Sequence, residues 1–244
     1  NYEMQDITGL IYKLRAIKDK EEIERFKKAA EINSKAINYA IKNLYIGITE
    51  QEIHTIILTK MLQEGADEWL QTTVAVGKQN GHDIYNQPTD KKVEKGDVIR
   101  FDTTAVYKGY ISDNSKTVVV GEPSERVKKI YDVVEKAEKL LLENFKPGVK
   151  LSELYKLAVN YVRKELDPNY RRGNVGHSVG IEIYDGPEIS ENEETVLVPN
   201  MTFSLEVPYH VAGFGGFNYE DSVVVTENGC QVVSLLNRDL DIIY

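Results

Sequence analysis

Two stretches of this sequence set carboxylates against each other across a chain reversal, and this constrains the fold more than any other feature. Val98 to Val120 reads as a long hairpin with Lys108-Gly109 as its two-residue turn. That turn pairs Tyr107 with Tyr110 and, counting back, sets Asp113 opposite Thr104. Side chains alternate along a strand, so Asp102 shares the face of Thr104. Asp102 and Asp113 then become diagonal neighbours, about 7–8 Å or less apart at Cβ. The second stretch repeats the theme: strands expected over Met201 to Val207 and Phe217 to Val225 reverse around Gly213 and set Glu206 opposite Glu220. Two carboxylates aimed together repel, and one is protonated unless a cation sits between them. Singly, each acid reads as a solvent-facing hairpin residue. Two like-charged pairs on two similar hairpins point instead to a dinuclear metal site.

The rest of the chain repeats itself around these hairpins. Residues 20 to 43 read as a helix with an apolar stripe of Ile23, Phe26, Ala30, Ile37 and Ala40, stopped at Gly47. Thr49-Glu-Gln-Glu52 is a capping box that opens a second helix through Ile53, Ile56, Ile57 and Met61 to Gly65. Thr72 to Val76 and Asp97 to Phe101 read as strands. Beyond the first hairpin, Pro123-Ser124 opens a helix carried by Val127, Ile130, Val134, Ala137 and Leu141. Pro147-Gly148 breaks it, Leu151 to Leu166 makes another, and from Val175 the pattern is again strand-rich. The order helix, helix, strands, hairpin thus occurs twice, with no low-complexity linker between the halves. One α+β domain with duplicated architecture follows.

Composition narrows the function. The net charge of −9 argues against a nucleic-acid partner. The single cysteine, Cys230, allows no intrachain disulfide, so a reducing, cytoplasmic setting is expected, with Cys230 as a small core residue. No stretch approaches the roughly 18 apolar residues of a membrane span, and no signal peptide is visible, so no membrane association is expected. The chain begins with Asn1 rather than Met, which suggests a piece of a longer protein. His177, in the glycine-lined run Gly173 to Gly180, completes the acid set. One imidazole among four carboxylates suits Mn²⁺ or Co²⁺, with Fe²⁺ and Zn²⁺ as alternatives, and disfavours copper. His54 reads as a surface residue of the second helix, and His82 and His210 as loop residues within reach of the site, though no local pattern fixes them there.

These residues resemble the pita-bread metallopeptidases: methionine aminopeptidases, Xaa-Pro aminopeptidases and prolidases, relatives of creatinase. The resemblance runs from about Leu14 over nearly the whole chain. It is carried by Glu94-Lys-Gly-Asp-Val-Ile-Arg-Phe-Asp102, Gly109-Tyr-Ile-Ser-Asp113, Gly176-His-Ser-Val-Gly180, Ser204-Leu-Glu206 and Glu220-Asp-Ser-Val-Val-Val-Thr-Glu-Asn-Gly229. It implies a pita-bread fold of two pseudo-symmetric halves, a curved antiparallel sheet flanked by helices. It implies Asp102, Asp113, His177, Glu206 and Glu220 as ligands of two divalent ions, with Glu206 also the general acid/base. The run Arg15 to Ile23 looks like the join after an N-terminal domain in the Xaa-Pro branch. On that reading residues 1–15 are the join or a remnant of that domain, and residues 16–244 the catalytic domain. A homodimer is implied as well.

The resemblance also exposes departures. The family usually has histidines where Tyr85 and Tyr184 stand, the Xaa-Pro branch another at Gly173, and often an arginine at Asn218. Its usual Asp-Phe-Gly is Asp102-Thr-Thr here. The metal shell is complete while the substrate shell has changed, with Tyr85, Tyr184, His82, His210 and Asn218 as candidate substrate contacts. The function implied is hydrolysis of an N-terminal peptide bond in short peptides, Xaa-Pro aminopeptidase or dipeptidase. Hydroxide formed at the metals attacks, and Glu206 moves the proton. The alternative is a divergent non-peptidase or pseudoenzyme of the same fold; a metal-free binding module ranks last.

Overall fold

The computed structural model of the protein describes residues 4–244; of the join expected over residues 1–15, Asn1, Tyr2 and Glu3 lie outside the described residues. The remainder of that segment holds a helix the sequence did not announce, α1 (Thr8–Ala16), which opens at Ile7 with no side-chain cap. Next come α2 (Lys20–Lys42), α3 (Glu50–Gln63), β1 (Thr72–Val76), the short α4 (Gly77–Asn80), β2 (Val98–Tyr107) and β3 (Tyr110–Val120). Both long helices begin on reciprocal caps. Asp19 accepts from the Glu22 amide while the Glu22 carboxylate accepts from the Asp19 amide, and Thr49 and Glu52 do the same for α3. The stripe of α2 buries Phe26, Ala30, Ile37 and Ala40, and that of α3 buries Ile53, Ile57 and Met61.

The second half repeats this plan with α5 (Glu125–Asn144), α6 (Leu151–Glu165), β4 (Asn174–Ser178), β5 (Glu188–Ser190) and β6 (Thr202–Glu206). It continues through β7 (Tyr209–Val211), β8 (Gly215–Phe217), β9 (Glu220–Val225), β10 (Cys230–Val232) and β11 (Asp241–Ile243). The strands form one nine-stranded sheet in the order β1-β2-β3-β9-β6-β4-β5, with β10 beside β9 and β11 beside β3. Among the described strands only the β11–β3 pairing is parallel. The two halves join where β3 meets β9, through the pair Ser115 and Glu220.

Each half has its own core between helices and sheet. Ile37, Ile53, Phe101 and Val118 belong to the first, and Leu141, Leu154, Phe203 and Val223 to the second. Asn33 on α2, fully buried, pins helix to sheet: its Nδ2 donates to the Thr103 carbonyl at 2.6 Å, and its Oδ1 accepts from the Thr103 hydroxyl at 2.5 Å.

The first hairpin turns where expected. Lys108 and Gly109 both have positive φ, 47° and 78°, the signature of a two-residue turn that matches strand twist. Tyr107 pairs with Tyr110, and Thr104 with Asp113. The second hairpin also keeps its register, Glu206 opposite Glu220. Its connection, however, is a separate two-stranded ribbon of β7 and β8 with Gly213 at the tip, where φ is 71°. His210 therefore lies on a strand rather than in a loop. Cys230 sits at the edge of the second core rather than inside it: it is half-buried on the short β10, packed against that cluster, its thiol donating to the Leu142 carbonyl at 3.6 Å. His54 is half-buried on α3 rather than fully at the surface.

Candidate metal centre

Neighbouring strands β2, β3, β9, β6 and β4 each supply one side chain to a common pocket: Asp102, Asp113, Glu220, Glu206 and His177 in that order. The register explains the convergence. Asp102 pairs with Ser115, Ser115 with Glu220, Glu220 with Glu206, and His177 with Ser204 two residues before Glu206. Gly176 has φ 133°, and a Cβ there would lie 2.4 Å from the Ser204 carbonyl oxygen. Glycine thus lets β4 press against β6 and carry His177 to the acids. The pocket encloses about 200 Å³.

Three of the five groups draw together. Asp113, His177 and Glu220 each offer a ligand atom within 4.8 Å of the others, and His177 Nε2 lies 3.8 Å from Asp113 Oδ2. All three are buried, at 8%, 2% and 2% exposure. Among the described residues, Asp113 Oδ1 has no hydrogen-bond partner. The Ser204 hydroxyl sits 2.8 Å from Glu220 Oε1. Burial, reinforced by the neighbouring acids, pushes the Asp113 and Glu220 carboxyls well above the usual carboxylate range. Burial also lowers His177, which keeps its imidazole neutral and able to donate a lone pair. A buried carboxylate with one orphaned oxygen, its other oxygen near a neutral imidazole and a second buried acid alongside, fits a divalent cation.

The remaining two acids have cationic partners that the sequence reading missed. Arg100, 1% exposed, donates from Nη1 to Asp102 Oδ2 at 2.6 Å and from Nη2 to the Asp83 and Ile84 carbonyls at 2.6 and 3.2 Å. Burial raises Asp102 to about 6 against the lowering pull of Arg100. Arg172 Nη2 lies 3.1 Å from Glu206 Oε1, and Asn218 Nδ2 donates to Glu206 Oε2 at 3.0 Å. Arg100 had a readable signal, since it sits two residues from Asp102 on a strand and so on the same face. Arg172 lies beside Arg171 in a loop, and nothing in the sequence separates the two.

The expected substrate residues divide. Tyr85 and Tyr184 both line the pocket mouth, 65% and 45% exposed. The Tyr184 ring lies over His177 with centroids 4.3 Å apart, and burial raises its phenol above the ordinary value. Gly173, His210 and Asn218 line the pocket too. Burial, with Arg100 and Arg172 nearby, lowers His210 to about 3 and keeps it neutral. His82 lies outside the pocket lining. Glu50 was also missed. Fully buried at the start of α3, it accepts from the Val76 and Thr89 amides and from Asn80, fixing the segment that leads to Tyr85.

A model of metallopeptidase family M24 matches residues 24–227. The Xaa-Pro dipeptidase of Pyrococcus furiosus is 35% identical over 238 residues, covering 98% of this chain and 68% of that one. The solved prolidase from Pyrococcus furiosus superposes with a TM-score of 0.90, covering 93% of this chain and 68% of the other. The X-Pro aminopeptidase of Thermotoga maritima gives 0.91 at 32% identity, covering 96% and 66%. The chain belongs to metallopeptidase family M24, a family of hydrolytic peptidases. It spans about two thirds of the length of these relatives.

Proposed function

We propose that this domain hydrolyses the peptide bond at the N-terminus of short peptides, as an Xaa-Pro aminopeptidase or dipeptidase, with Glu206 as general acid/base. The observation that carries the reading is the buried group Asp113, His177 and Glu220, in a chain whose relatives are named for Xaa-Pro cleavage. Asp113, His177 and Glu220 would hold a divalent cation, Mn²⁺ or Co²⁺ by the hardness of the donors, with Fe²⁺ and Zn²⁺ as alternatives. The pair of ions expected from the sequence would need Asp102 and Glu206 as well. Bound there, such an ion supplies Lewis acidity for the scissile carbonyl and for water.

The chain's own groups do the rest. Glu206, oriented by Arg172 on one oxygen and Asn218 on the other, accepts the proton of the attacking water and returns it to the leaving nitrogen. Tyr184 keeps its proton and donates a hydrogen bond to the substrate, and the Tyr85 hydroxyl offers a second polar contact across the mouth. A pocket of about 200 Å³ behind two tyrosines suits the end of a short peptide rather than a folded chain. No helix among the described residues is long and apolar enough to cross a membrane. A cytoplasmic setting, a homodimer and an N-terminal domain complete the proposal.

The test is hydrolysis of Xaa-Pro dipeptides and tripeptides by protein loaded with Mn²⁺ or Co²⁺. Cleavage that needs the metal and disappears in Glu206→Gln supports the reading; metal binding without cleavage of any peptide overturns it. A second reading, a non-peptidase acting on another small C–N substrate, draws support from the two tyrosines at the mouth. It predicts that Tyr85→His and Tyr184→His create peptidase activity absent from the parent.

A further inference from the structure

We infer that the acid ring holds one divalent cation, on Asp113, His177 and Glu220, and that Arg100 and Arg172 take the place of a second. The inference rests on the metal-hydrolase reading above and changes the number of ions in it.

The partition is visible in the hydrogen bonds. Asp113 and Glu220 have no Lys or Arg partner among the described residues, whereas Asp102 Oδ2 is held by Arg100 at 2.6 Å. Glu206 has both oxygens engaged, one by Arg172 at 3.1 Å and the other by Asn218 at 3.0 Å. A second cation between Asp102 and Glu206 would have to displace these donors. Arg100 cannot swing out: its side chain is 1% exposed and its other nitrogen is fixed to the Asp83 and Ile84 carbonyls. Stripping its carboxylate would leave a buried guanidinium uncompensated, which is strongly unfavourable.

The charge count agrees. Four carboxylates and two guanidiniums line or touch this pocket, leaving a formal charge of −2. One divalent ion neutralises it. Two would leave two positive charges among acids and a guanidinium that are mostly buried, and an unbalanced buried charge is costly. Asp102 is then not a ligand. It is the counter-ion of a positioning residue, Arg100, which ties the acid ring to the 83–85 segment that carries Tyr85.

The experiment is a stoichiometry. Full-chain protein is stripped with chelator and titrated with Mn²⁺, with bound metal read by elemental analysis and by electron paramagnetic resonance. One tight equivalent with an isolated-ion spectrum is expected. Two tight equivalents, or an exchange-coupled spectrum, would overturn the inference while leaving the metal-hydrolase reading intact; no bound metal would overturn both. Asp102→Asn should keep its single ion with affinity changed less than threefold, and Glu220→Gln should lose it. Arg100→Gln should gain a second, weaker equivalent. Circular dichroism and melting temperature check each variant for folding, and if Arg100→Gln does not fold, Asp102→Asn decides alone. Loss of the ion in folded Asp102→Asn would also sink the idea.

Discussion

Glu220 and Asp221 are consecutive acids on β9, and the sheet sends them to opposite faces. Asp221 meets Arg238 Nη1 at 2.8 Å and the Ser234 hydroxyl, inside a cluster where Arg238 also pairs with Glu135 and the fully buried Glu138. Glu220 meets a serine hydroxyl and other acids. Both carboxyls are raised by burial, but only Asp221 has a guanidinium to pull it back. An acid buried for structural reasons is satisfied here by the chain itself, through Arg238 at Asp221 and through backbone amides and Asn80 at Glu50. Asp113 and Glu220, left without an arginine, are positioned for a charge that arrives from outside the chain.

The largest effect is expected on the structural face. Arg238→Met strands Glu138 and Asp221 and should cost about 3–5 kcal/mol of stability, read by denaturant unfolding; a loss below about 1 kcal/mol would show that the cluster is not the compensated one. On the pocket face, Glu206→Gln should cut kcat by about 10²–10⁴-fold with unfolding unchanged. A loss confined to KM would remove Glu206 from the proton path.

Metal removal sharpens the comparison through pH. Asp113 and Glu220 stand well above the ordinary carboxylate value and Asp102 at about 6 in the folded state. Acids raised by folding bind protons more tightly folded than unfolded. Metal-free stability therefore falls as pH rises from the ordinary carboxylate value near 4 (about 3.9–4.3 for free side chains) through the raised values. A cation displaces those protons, so the stabilisation by Mn²⁺ should grow from pH 5 to pH 8. At a hundredfold excess over Kd it should reach about 2.7 kcal/mol, a melting shift of roughly 5–10 °C. Equal shifts at both pH values would contradict this. The smallest effect belongs to the mouth: Tyr184→His should raise kcat/KM for an Xaa-Pro dipeptide by less than about tenfold, because a tyrosine already donates there.

Much of this was legible in the sequence because it depends on local rules. The Lys108-Gly109 turn and the alternation along β2 and β3 fixed the first hairpin's register to the residue, and the capping box at Thr49 fixed the start of α3. Gly213 gave the second register even though the ribbon of β7 and β8 was hidden. That ribbon, β5, β10 and β11 are three residues each, too short for alternation to register. The acids were legible as pairs. What was not legible is which of them the chain itself neutralises, since Arg172 and Glu206 are 34 residues apart and only tertiary packing brings them together.

Whether the acid ring is a cation site is read directly by anomalous diffraction, at the metal absorption edge, from crystals grown with Mn²⁺ or Co²⁺. The account predicts a strong peak bounded by Asp113, His177 and Glu220. No peak there, or a peak ligated elsewhere in the molecule, would contradict it.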